Sequence, residues 1–310
     1  MKPPKTLESI PAIEQAYGKS IANAARRRRQ RLTTTGAGRR PGWLTYAVLA
    51  VVLAASAFPL WYTFLLGSAD AAYISQHAIP SMIPQGKFIT NMGRVLAADI
   101  KFWQALLNSV IVSALTAVSV IFFSTLAGYS FAKLRFRGRN QLLVFVIATM
   151  AIPTQLGIVP LFMVMSKLGW QGQLQAVIVP GMVTAFGVFW MTQYLQAALP
   201  YELIEAARVD GCSMIRTFWH VAMPASRPAA AMLGLFTFVG TWTNFFWPFI
   251  VLGSTNPTLP VATQLLQAQY FKDYSLIMAG VLMATAPLVF VFVAAGKQLV
   301  SGIMHGAVKG

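Results

Sequence analysis

The chain has 310 residues, of which 56% are hydrophobic and only 10% charged, with a formal net charge of +16. So few charges, against about 25% in ordinary soluble domains, exclude a water-dispersed globule and leave a membrane as the solvent for the apolar runs. The positive balance does not point to nucleic acid, because Lys and Arg fall in a terminal run and between apolar stretches, without a basic face interleaved with aromatic residues.

Residues 1–42 read as a basic cytoplasmic arm that anchors topology, built around the run Arg26–Arg29, with a short helix expected near Ile10–Arg31. Within it, Gly18-Lys19-Ser20 has the form of a P-loop ending, but Ile13 stands where the first glycine belongs, so the arm offers no ATP site. Residues 43–310 read as one transmembrane domain. A hydrocarbon core about 30 Å thick needs roughly 20 apolar residues per helix, and about six such runs are present. They are Trp43–Leu66, Ala105–Ala132, Gln141–Ser166, Gln175–Ala197, Ala229–Leu252 and Ser275–Leu299. Ala55-Ser56-Ala57 has the small-x-small form of a signal-peptide cleavage site, yet the apolar run continues to Leu66 and the basic region before it is too long, so the segment reads as a span. Pro153, Pro160 and Pro180 predict kinks in the third and fourth spans. Trp43, Trp103 and Trp170 fall near span ends and suit an interfacial belt.

Positive residues mark the cytoplasmic flanks of spans. Nineteen of the 24 Lys and Arg lie before the first span, between the second and third, between the fourth and fifth, or in the C-terminal end of the sixth and beyond it, which predicts cytoplasmic termini. The connections about Gly67–Gln104 and Gly253–Asp273 then face outward. None of the eight acidic residues lies in a predicted span, which weighs against the main alternative, an ion-coupled secondary transporter. The single cysteine, Cys212, and the scattered His77, His220 and His305 give no disulfide framework, metal site or catalytic set, so the chain is expected to bind no metal and to catalyse no reaction itself. Polar residues within or beside spans are candidates for a translocation path: Asn108, Gln155, Trp242, Thr243 and Asn244. Helix-to-helix hydrogen bonding is their alternative role.

The connection 198–228 is too polar to span and too patterned for a linker. Pro200 suits a first helical turn, Glu202 and Glu205 place negative charge near its positive end, and Asp210-Gly211 supplies a stop. Ser213 can cap a second helix, Met214–Val221, that Pro224 is expected to end. The alternative to a gripped element is a helix pair lying on the headgroups.

Glu205-Ala206-Ala207, then Asp210-Gly211, then Val221-Ala222-Met223-Pro224 resembles the EAA loop of ABC importer permeases in residue type and spacing, with Val221 and Met223 as apolar departures from the Ile and Leu of that pattern. The likeness covers most of Asn108–Gly310 and is similar to the carbohydrate-uptake branch. Supporting stretches are Ala127–Gly138, Trp242–Pro248 and Gly302–Gly310. The resemblance implies an all-α, type I importer permease in a bacterial cytoplasmic membrane. It also implies that Glu205, Ala206, Ala207, Asp210, Gly211 and Pro224 dock a cytoplasmic ATPase. Two ATPase subunits would hold ATP and Mg2+, a second and unlike permease subunit would complete the path, and an extracytoplasmic solute-binding protein would deliver a sugar.

Overall fold

The computed structural model describes residues 42–77, 81–270 and 272–307, and every structural statement below concerns these. The basic arm and its expected helix lie outside them. Chain contacts part the molecule into two units, residues 1–59 and 60–310.

The described residues are helical, without strands. The first helix, α1 (Trp43–Gly67), carries Pro59 inside it. From Trp43 to Pro59 its apolar side chains are almost all exposed. In the second unit the backbone of the bundle is α4 (Phe102–Lys133), 32 residues long and about 48 Å by its rise per residue. It packs along α8 (Ala185–Ala198) and α12 (Arg227–Trp242). Apolar burial does not separate helices from lipid tails, so close backbone approach must hold the pair together. A Cβ built on Gly128 of α4 would lie 2.7 Å from Met191 Cβ and 2.8 Å from the Met191 carbonyl carbon on α8.

Four helical stretches are long and apolar enough to cross a membrane, or up to six if two bent pairs each count as one span. The third and fifth runs, expected as single helices, are those bent pairs. The third divides into α5 (Arg139–Thr149) and Thr154–Lys167, at 88°, with a 3-10 turn at Thr154–Gly157 leading into α6 (Ile158–Lys167). Pro153 sits at the break, where it removes a backbone donor and holds the chain out of the helical path. The fifth divides into α12 and α13 (Phe246–Leu252), at 56°, with Pro248 in the first turn of α13, where it cannot donate to the Asn244 carbonyl. The fourth run, α7 (Gln175–Gly181) followed by α8, keeps one course although regular helix lapses at 182–184, just after Pro180. The last is α15 (Tyr274–Ala307).

The connections 67–104 and 253–273 are themselves largely helical, with α2 (Ala71–Gln76), α3 (Phe88–Ala97) and α14 (Leu259–Gln269). Side chains clasp them to the spans. Asn91 Nδ2 donates to the carbonyls of Gly67 and Ala69. Arg94 donates to Asn91 Oδ1 at 3.2 Å and to Asp273 Oδ2 at 2.6 Å. Partial burial alone would push the Asp273 carboxyl up, but hydrogen bonds from Ser275, Arg94 and the Leu276 N–H hold it below its ordinary value. Of the expected belt tryptophans, Trp43 and Trp103 are exposed, whereas Trp170 packs against the cluster around Val112, Ala176 and Val251.

Candidate functional site: the element 198–228 and the polar span residues

Helix α9 (Tyr201–Val209) starts one residue after Pro200, which serves as its N-cap. Its residues divide cleanly by face. Ile204, 0% exposed, packs into a core with Tyr129, Leu195, Leu199, Phe218 and Ala222, and Ala207 is buried at 8% exposed. Glu205, Ala206 and Asp210 are exposed, and Val209 is 87% exposed. The helix ends in a Schellman motif: the Cys212 N–H donates to Ala207 O at 2.9 Å and the Gly211 N–H to Arg208 O at 3.0 Å. Gly211 sits at φ +74°, a left-handed conformation that only glycine adopts without steric cost. That geometry gives the glycine of the EAA pattern its physical reason.

Ser213 caps the next helix, α10 (Met214–Thr217), with its hydroxyl accepting from the Arg216 N–H. Here the structure departs from the sequence-based expectation. Pro224 does not end a helix at Val221. The chain continues through a π-turn, Phe218–Ala222, closed by the Met223 N–H on Phe218 O, then through α11 (Met223–Ala225) into α12. Pro224 is tolerated because it lies in the first turn of α11. The element is thus continuous with the fifth span. Met214, Ile215 and Trp219 stand exposed on it and form one wall of an apolar groove of about 280 Å³, opposite Phe122, Leu126 and Tyr129 of α4.

Of the residues expected to dock an ATPase, Glu205, Ala206, Asp210 and Gly211 therefore share the exposed side, and Pro224 is exposed further along the chain. Ala207 is buried within this chain. Sequence reasoning missed Leu203, Val209, Met214 and Ile215, which are exposed beside those residues. Their signal was available in part: they are large apolar residues in a polar connection, and the helical period places Val209 opposite Ile204 and Ala207.

The polar span residues fall into three places. Trp242, Thr243 and Asn244 mark the bend of the fifth span, and the first two line an open crevice of about 210 Å³ with Thr263 and Thr285. Trp242 is stacked on Phe238 and donates to Ala284 O at 3.3 Å, while Thr243 bonds back to Val239 O. Gln155 is exposed on the 3-10 turn of the third span and lines none of this crevice. Asn108, 5% exposed, is committed to the turn before α14. Its Nδ2 donates to Asn256 Oδ1 at 2.7 Å and to Pro257 O at 2.8 Å. Lys101, Gln104 and Ser109 bond to the same turn, at Thr255 O, Asn256 and the Leu259 N–H.

The model of the family described as "Binding-protein-dependent transport system inner membrane component" matches residues 121–300, more than half of the chain. The chain belongs to that family. The matched stretch of this inner membrane component contains the whole of 198–228, the bend at Trp242–Asn244 and all but the first 19 residues of α4. Among its relatives, the arabinooligosaccharides transport system permease protein AraQ of Halalkalibacterium halodurans is 30% identical over 270 residues, 86% of this chain and 96% of AraQ. The lactose transport system permease protein LacG of Rhizobium radiobacter is 28% identical over 279 residues, 90% of this chain and all of LacG. A chain from the crystal structure of a bacterial ABC transporter involved in the import of the acidic polysaccharide alginate shares the fold, with a TM-score of 0.68 at 23% identity, covering 83% of this inner membrane component and 95% of that chain. It is a multi-pass membrane transport subunit with the fold of an ABC importer permease.

Proposed function

We propose that this chain is one permease subunit of an ATP-driven importer and that it forms part of the translocation path for a sugar or oligosaccharide. The observation that carries the reading is the exposed side of the element 198–228, where Val209 and Ile215 are 87% and 72% exposed beside Glu205, Asp210 and Gly211. Covering one such aliphatic side chain is worth about 1.5–3 kcal/mol, so the surface favours a protein partner that buries its apolar residues and meets its carboxylates with positive charge. A cytoplasmic ATPase fits that description. Two such subunits would hold ATP and Mg2+, and this chain supplies no nucleotide site.

The sugar class is supported by the names of AraQ and LacG, which cover nearly the whole chain. A second, unlike permease subunit would complete the path and cover apolar surface such as that of residues 43–59. An extracytoplasmic solute-binding protein would meet the outward connections. The distribution of Lys and Arg supports cytoplasmic termini.

In this reading, closure of the ATPases moves 198–228, and the helical course from Met214 through the π-turn and the turn at Ser226 into α12 carries the movement to the bend at Trp242–Asn244. Those three residues, with the crevice beside them, are the favoured part of the path. Val209→Asp tests the docking: the side chain makes no buried contact, so the variant should stay folded in the membrane. Solute-stimulated ATP hydrolysis by the purified complex should fall about tenfold or more, since tenfold is only 1.4 kcal/mol. Undiminished stimulation rejects the reading.

A further inference from the structure

The loop that joins α4 to α5 contains a cavity of about 430 Å³ lined by Arg135, Phe136, Gly138, Arg139, Asn140 and Gln141. We propose that it is a binding site for the phosphate group of an anionic phospholipid headgroup, gripped by the guanidinium groups of Arg135 and Arg139.

Both guanidinium groups are held in place. Arg139 donates from Nη1 to Leu134 O at 3.3 Å and from Nε to Asn140 Oδ1 at 3.4 Å. Arg135 lies over the Tyr201 ring, 5.5 Å from its centroid. Neither is neutralised: among the described residues the ion pairs are Lys87 with Asp70 and Arg94 with Asp273, both on the outward connections. Two oriented forks without a carboxylate partner match the planar, bidentate recognition of phosphate oxygens.

The setting selects a lipid over a soluble phosphate. Helix α4 ends at Lys133, and α5 presents exposed Leu142, Val144 and Phe145 within two turns of its start, so the cavity adjoins the end of one apolar span and the apolar start of the next, the setting in which a headgroup and its acyl chains can be met together. Exposed Phe136 lines the cavity and offers an apolar contact that a free phosphate could not use. Arginines that served topology alone would act only through their charge, which lysine would supply equally well, whereas a bidentate phosphate grip would be weakened by Arg135→Lys with Arg139→Lys. The proposal rests on the membrane-spanning fold and is independent of the ATPase reading.

The test is native mass spectrometry of the delipidated full-length chain in neutral detergent, titrated with phosphatidylglycerol and with phosphatidylcholine. Phosphatidylglycerol should bind more tightly, each arginine accounting for about fivefold. Arg135→Gln with Arg139→Gln should abolish the preference. Asn140→Asp, which places a carboxylate against Arg139 without deleting either arginine, should weaken it in a chain whose thermal transition is unchanged, and Lys167→Gln on the opposite side should leave it intact. Equal binding of the two lipids, or a preference that survives the double substitution, overturns the proposal. Displacement of the lipid by equimolar glycerol phosphate assigns the site to a soluble phosphate and overturns it as well. So does a double variant that keeps its lipid but no longer retains the ATPase, which would make the cavity a protein contact.

Discussion

Asn108 shows how a single polar side chain in a span can look functional and be engaged elsewhere. Its amide donates twice into the turn Asn256-Pro257, and Asn256 Nδ2 donates onward to Gly172 O. Asn108→Ala would leave Pro257 O buried without its donor, at a cost of about 1–3 kcal/mol, and thermal unfolding of the purified chain in detergent should report the loss. The spacing of residues along the chain could not reveal this, because the partners lie almost 150 positions away. The exposed side of the element 198–228 was more legible: the helix and turn that carry Glu205, Ala206, Asp210 and Gly211 are set by local spacing and capping, where sequence and geometry are the same information.

Asp273 permits a signed prediction at the same scale. Its carboxyl is held below its ordinary value, so the stabilisation from Arg94, Ser275 and the Leu276 N–H is complete above the ordinary carboxylate range and is lost as pH falls through the folded value. Between about pH 6 and about pH 3 the wild-type thermal midpoint should drop more than that of Asp273→Asn, which lacks the titrating group. Parallel curves for the two proteins would contradict the assignment.

At the scale of elements, three glycines separate two physical demands. Gly128 faces the Met191 backbone with no room for a methyl group, whereas a Cβ on Gly181 would meet the Thr116 methyl at 3.2 Å, a contact a small shift relieves. Gly211 has open space but a left-handed backbone. Alanine at 128 should therefore cost about 1–3 kcal/mol through separation of α4 from α8, despite the helix propensity it gains. Alanine at 211 should cost about 1–2 kcal/mol through strain alone, and alanine at 181 less than at 128. Thermal midpoints of the three variants give the order. The spans themselves were readable from length and apolarity. Their breaks are both marked by proline: Pro153 sits at the bend of the third, and Pro248, which cannot donate to the Asn244 carbonyl, follows that of the fifth.

For the whole molecule, the expected topology alternates, with 133–139 and 198–228 on one side and Gly253–Thr258 on the other. A cysteine introduced at Ser254 should react from outside intact cells with a membrane-impermeant maleimide, while one at Arg137, and the native Cys212, should react only after the membrane is opened. Labelling of Arg137→Cys in intact cells would invert the arrangement.

The π-turn at Phe218–Ala222 holds one residue more than an α-helical path of the same rise would need. Each residue of an α-helix advances the azimuth by about 100°, so this surplus fixes the angular phase between the 198–217 segment and the fifth span. Removing Trp219 alone should leave a regular helix whose upstream end is rotated by roughly that amount. Such a chain would present its acidic and aliphatic face to the wrong quadrant, like a crank keyed to its shaft one notch out.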